Sequence, residues 1–209
     1  MSVIIPSTPL SRDFYARDTV TVAQDLLGKV LVREVDGVLL AGIIVETEAY
    51  RSDDAACHAY KGQTPRTAPL FGPVGYTYVY FIYGTHFCVN FVSRDASVAA
   101  GGVLIRALEP IAGIAYMQQR RGVSGHTHLT NGPGKLTKAL AITRDQIGID
   151  ATQLGSLYVG EGRSYSASDI VATPRIGISQ AQDLLWRFLV KGNGVSPAKP
   201  NDASTLFSK

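Results

Sequence analysis

The chain has 209 residues, 45% hydrophobic and 18% charged, with no low-complexity tract, which excludes a disordered or fibrous chain and leaves ample material for one core. No apolar run reaches the roughly 18 residues that a membrane helix needs, Met1 to Asp18 does not read as a signal peptide, and two cysteines, Cys57 and Cys88, exclude a disulfide framework or a four-cysteine metal cluster within the chain. The net charge is only +3, but residues 51–144 carry ten Lys/Arg against four Asp/Glu, a basic middle that suits either a polyanionic partner or an ordinary solvated surface.

Asp18-Thr19-Val20 opens a short amphipathic helix carrying Leu26 and Leu27 and stopping at Gly28. Lys29 to Val35 is a β-branched strand, Asp36-Gly37 a hairpin turn, and Val38 to about Tyr50 a second strand. Residues 51–75 read as a long polar loop punctuated by Pro65, Pro69 and Gly72-Pro73. Tyr76 to Ile82 and His86 to Val92 form a hairpin turning at Tyr83-Gly84-Thr85. Val103 to Leu108 is a buried strand, Ile111 to Gln119 a helix, and Asn131-Gly132-Pro133 starts another through Leu136, Leu140 and Ala141. Short strands follow around 156–160, 169–173 and 186–190. The expected fold is one α+β domain over 1–196 with a mainly antiparallel sheet, and 197–209 is a loose tail.

Period two puts Glu46, Glu48 and Tyr50 on one face of their strand. Two carboxylates among apolar residues are either paired structural groups or chemically used, and activating water for N-glycosidic hydrolysis is one such use. Tyr76, Tyr78 and Tyr80 share a face that suits core packing or a base-binding wall. Tyr83 differs, because a hairpin tip cannot bury its side chain in its own core, whereas it can enter a groove and replace an extruded base. His126 and His128 lack a third ligand at suitable spacing, so no metal site is expected. Gly132-Pro133-Gly134-Lys135 lacks the spacing of a nucleotide-binding P-loop, although a phosphate would suit it.

Val45-Glu46-Thr47-Glu48-Ala49-Tyr50, Gln63-Thr64-Pro65-Arg66, Tyr78 to Gly84 with Phe87-Cys88-Val89-Asn90, Arg106-Ala107-Leu108-Glu109-Pro110, Gly132 to Leu136 and Pro174-Arg175-Ile176-Gly177-Ile178 occur in this order. Together these six blocks closely resemble the alkyladenine (3-methyladenine, methylpurine) DNA glycosylases, over about residues 10–195. The resemblance implies a compact single domain with a curved antiparallel sheet, surrounding helices and a protruding β-hairpin. It implies a monofunctional enzyme of base excision repair that flips alkylated or deaminated purines from double-stranded DNA and leaves an abasic site, acting as a monomer without metal or cofactor. Glu48 matches the general base, holding the attacking water with Arg106 and the main chain at Ile176. Tyr50 and Tyr80 match the pocket walls, His58 completes the pocket, Asn90 excludes the guanine 2-amino group, and Tyr83 intercalates. Arg66, Lys135 and Arg175 are the expected DNA-backbone contacts. The loop from Glu48 to His58 is one residue shorter than in the mammalian pattern. The short form fits a bacterial, cytoplasmic, nucleoid-associated protein.

Two other readings stay open on the residues alone. A nucleoside or sugar glycosidase would use Glu46 and Glu48 as an acid pair and show no DNA affinity. A non-catalytic nucleic-acid-binding module of related fold would bind independently of Glu48.

Overall fold

The computed structural model describes residues 5–126 and 128–195. The expected 197–209 tail, and Ser196 before it, lie outside the described residues. After a single-turn helix α1 (Arg12–Tyr15), helix α2 (Thr19–Asp25) starts where the Asp18 side chain accepts the Thr21 N–H at 2.9 Å. Gly28 closes this segment with φ +89°, at a spot where a Cβ would meet the Arg163 carbonyl oxygen.

Strand β1 (Val30–Val35) and strand β2 (Val38–Arg51) pair in register through Asp36 and Gly37, both at positive φ (+53° and +74°). Such a turn carries the right-handed twist of its flanking strands. β2, 14 residues long, is the axis of the molecule. One edge pairs with β5 (Gly101–Ala112); the other is shared by β1 at its start and β8 (Arg187–Val190) at its end. β3 (Thr77–Ile82) and β4 (His86–Val92) extend the sheet beyond β5, β6 (Leu157–Gly160) extends it beyond β1, and β7 (Ile170–Thr173) pairs with β8. Among the described residues every strand pair is antiparallel, so the α+β class and antiparallel sheet agree with expectation.

The two sheet faces have different fates. Val45, Ala49, Val79, Val89, Phe91, Val103, Ile105 and Ala107 belong to the main core, and Thr47 donates to the Ala23 carbonyl of α2 at 2.7 Å. Alternate residues, among them Glu48, Tyr50, Tyr78, Tyr80, Cys88, Asn90 and Arg106, line the opposite face. Helices α4 (Ile114–Arg121) and α5 (Pro133–Ala139) pack together beside the sheet.

Two segments differ from expectation. The helix expected from Ile111 begins at Ile114, because β5 continues to Ala112 and Gly113 then turns at φ +70°. Pro110 survives inside β5 because β4 pairs only with 102–104, so no ladder bond is needed on that edge. The long loop 51–75 is a chain of turns with a one-turn helix α3 (Ala68–Phe71), closed over a satellite core of Cys57, Ala59, Leu70, Tyr78, Val92 and Ala100.

Candidate active site

Sheet register assembles the site. Tyr78 of β3 lies opposite Asn90 of β4, Asn90 opposite Leu104 of β5, Leu104 opposite Glu48 of β2, and Glu48 opposite Arg187 of β8. The first four of these residues, from Tyr78 to Glu48, lie in the lining of a cavity of about 880 Å³, and Arg187 backs Glu48 from outside it.

Glu48 is fully buried and held from three directions. Its Oε1 accepts the Ile176 N–H at 2.8 Å; its Oε2 accepts the Tyr50 hydroxyl at 2.7 Å and lies 3.2 Å from Arg106 Nη1. Burial and then the charge on Glu48 raise the Tyr50 pKa well above its usual value, so Tyr50 keeps its proton and donates it. Arg106 also donates through Nε to Glu46 at 2.9 Å. Burial alone would lower its pKa, but Glu48 and Glu46 outweigh that and raise it, so Arg106 stays charged.

The carboxylates and Arg106 meet because of local irregularity. Register shifts flank Glu46 where β2 faces β5, so Val45 and Arg106 each lack a paired partner. Such bulges re-aim side chains. Here the bulge sets Arg106 between both glutamates. Glu46 itself is absent from the cavity lining and is bound to Arg106 and, at 3.2 Å, to Arg187 Nε. An acid pair of Glu46 and Glu48 acting on one substrate, as a nucleoside glycosidase would need, does not fit this placement.

Tyr50, Tyr78, Tyr80 and His58 line the cavity. The His58 ring stands edge-on to Tyr80 with centroids 4.7 Å apart, and His58 Nδ1 lies 3.1 Å from the Tyr78 hydroxyl. Burial, and then the nearby Arg66 charge, lower the His58 pKa, which keeps the ring neutral near pH 7. Asn90 is fixed by donating its amide to the Tyr78 carbonyl at 3.1 Å.

Tyr83 sits at the hairpin tip, 68% exposed, with φ +53°. A bulky residue in the left-handed region is strained, and such strain collects at functional positions. Its hydroxyl lies across the cavity mouth beside Gly177, where an added Cβ would come within 4.0 Å of it.

The three expected backbone contacts separate. Arg66 is exposed, its guanidinium 5.9 Å from the Tyr80 ring centroid. Lys135 lines the cavity, half-buried, and donates to Asn131 Oδ1 at 2.9 Å. Arg175 corrects the expectation: its side chain has no exposure and is held by Asp54, so it cannot reach a DNA backbone from this position. The residues that motif reading passed over are Asp54, which gives no pattern signal, and Arg187, a charge inside the apolar run Trp186-Arg187-Phe188-Leu189.

Comparison with known proteins assigns the class: the chain is a DNA glycosylase of DNA repair, a hydrolase of N-glycosyl bonds. It is 50% identical over 184 residues to a protein of Carboxydothermus hydrogenoformans, covering 88% of this chain and 96% of that one. It is 48% identical over 197 residues to one of Clostridium acetobutylicum (88% and 95% covered) and 46% over 187 to one of Chlorobaculum tepidum (88% and 88%). All three bear the provisional name 3-methyladenine DNA glycosylase. Residues 13–194 match the family described as Methylpurine-DNA glycosylase (MPG), and the chain belongs to that family.

Proposed function

We propose that this glycosylase, as a monomer, flips a damaged purine out of double-stranded DNA and hydrolyses its N-glycosidic bond with a water activated by Glu48. The observation that carries the reading is the Glu48 carboxylate, buried at the floor of an aromatic-walled cavity and held by Ile176 N–H, Tyr50 and Arg106. A carboxylate has about four lone-pair sites, and these three donors leave one for the attacking water. The water oxygen bonds to C1′ of the sugar as the bond from C1′ to the base nitrogen breaks, with its electron pair leaving on the base. Glu48 takes the water proton and its charge stabilises the oxocarbenium character of the sugar. An abasic site remains in an intact strand.

Cationic bases such as 3-methyladenine and 7-methylguanine leave neutral and need little assistance. Hypoxanthine and ethenoadenine are neutral and need a proton as they leave. Tyr50, Tyr80 and His58 stack against the base, stacking being worth about 1–3 kcal/mol per base. A neutral His58 does not repel a cationic base. Asn90 crowds the guanine 2-amino position, and Tyr83 fills the gap that the flipped base leaves in the stack. Arg66 and Lys135 stand at the rim for phosphates.

The test is strand scission by hot alkali after incubating the protein with a duplex carrying one hypoxanthine or ethenoadenine, with Glu48→Gln alongside. Cleavage by the native protein only, and only after alkali, is expected. Equal turnover by Glu48→Gln removes Glu48 from the mechanism.

A further inference from the structure

Beneath the aromatic walls lies a buried ion pair that the chemistry above does not use. Arg175 Nη1 donates to the Ala49 carbonyl at 2.9 Å and to Asp54 Oδ2, and Nη2 donates to Asp54 Oδ1 at 3.0 Å. Neither side chain has any exposure. The guanidinium carbon lies 4.7 Å from the Tyr50 ring centroid and 5.3 Å from that of Trp186.

Each contact reaches a different part of the site. Ala49 is the residue between Glu48 and Tyr50. Arg175 immediately precedes Ile176, whose N–H holds Glu48. Asp54 Oδ1 also accepts the Ala56 N–H at 3.0 Å and the Asp54 carbonyl accepts the Cys57 N–H at 2.9 Å, which shapes the turn leading to His58. The stretch from Glu48 to His58 and the remote segment Arg175-Ile176 thus meet at one guanidinium.

Stability is a poor reason for such a pair. Burying two charges costs desolvation that well-packed apolar residues would avoid, and the Arg175 Nε is buried with no hydrogen-bond partner among the described residues. Positional accuracy is a better one, because a displacement near 1 Å can slow a reaction about 100-fold.

We propose that Arg175 and Asp54 are positioning residues that lock Tyr50, the Ile176 N–H and the His58 turn around Glu48, an inference that rests on the reading of Glu48 given above. Removing the pair therefore slows the chemical step while leaving DNA affinity nearly intact.

The experiment compares native protein, Asp54→Asn, Arg175→Lys and Glu48→Gln on a duplex carrying one hypoxanthine. Single-turnover excision is measured with enzyme in saturating excess, and Kd for the same duplex by anisotropy. Asp54→Asn is nearly isosteric, and Arg175→Lys keeps the charge but loses the planar fork. Both are expected to lower the single-turnover rate about 10- to 100-fold with Kd within about threefold of native. Folded variants with native rates overturn the proposal, as do variants that lose affinity and rate equally. Loss of fold in both variants overturns it too, since the pair would then hold the domain rather than the site. If Glu48→Gln excises normally, the Glu48 reading fails and the pair is still judged by its own variants; a native protein without excision overturns both.

Discussion

Replacing Glu46 by Gln removes a negative charge from a buried cluster of two carboxylates and two guanidinium groups. Glu46 Oε1 lies 2.9 Å from Arg106 Nε and 3.2 Å from Arg187 Nε, and its side chain is 2% exposed. Arg187 is similarly enclosed, and burial lowers its pKa even though Glu46 opposes the shift. The Gln amide could still accept from one arginine, but the cluster would keep two cations against one anion. Breaking a buried pair by removing one partner costs about 3–5 kcal/mol, so we take about 3 kcal/mol for this isosteric change. For a domain of this size that lowers Tm by about 6–12 °C. Glu48→Gln removes a carboxylate that faces one guanidinium rather than two, so its cost is expected to be smaller. Urea unfolding at pH 7, with equal m-values across native, Glu46→Gln and Glu48→Gln proteins, measures both. A Glu46→Gln protein less destabilised than Glu48→Gln would refute the argument that the number of guanidinium groups facing a buried carboxylate sets the electrostatic cost.

Three other outcomes are expected. Tyr83→Asn places at the hairpin tip a residue that tolerates positive φ, so Tm should hold within about 2 °C while excision falls about 10-fold or more; unchanged excision would contradict the wedge role. Asn90→Ser should raise release of undamaged guanine from DNA, seen as alkali-labile breaks at guanine, because a smaller side chain opens the 2-amino position; an unaltered guanine background would discard the gate. The His58 pKa is lower in the folded protein than its ordinary 6.5, so the unfolded chain takes up the proton first as pH falls. The stability due to neutral His58 is therefore complete above pH 6.5 and lost below it, and His58→Gln should flatten the fall in urea midpoint between pH 7 and 5; an identical slope would assign that loss to other groups.

Much of the fold was legible because its signals are local. Asp36-Gly37 announces its hairpin by residue type, since few residues accept positive φ at both turn positions, and Gly84 does so at the second position of the other hairpin. The side-chain alternation of β2 placed Glu48 and Tyr50 on one face without knowledge of any neighbour strand. The extension of β5 through Pro110 was not legible, because a proline is tolerated there only through the absence of a partner on one edge. Arg175 was misread for a similar reason. A basic residue within a motif block of a DNA-binding family suggests a backbone contact, and only its burial against Asp54, 121 residues away, shows otherwise.

The turns, the faces of the strands and the ordered motif blocks that mark the family are readable from the linear chain, because each depends on backbone conformation or residue type within a few positions. The lateral row from Tyr78 to Arg187, the bulge that sets Arg106 between Glu46 and Glu48, and the bond from Ile176 to Glu48 across 128 residues emerge only in three dimensions. Those features depend on strand register and on burial, which arise from long-range pairing and the exclusion of water, and a linear pattern carries neither.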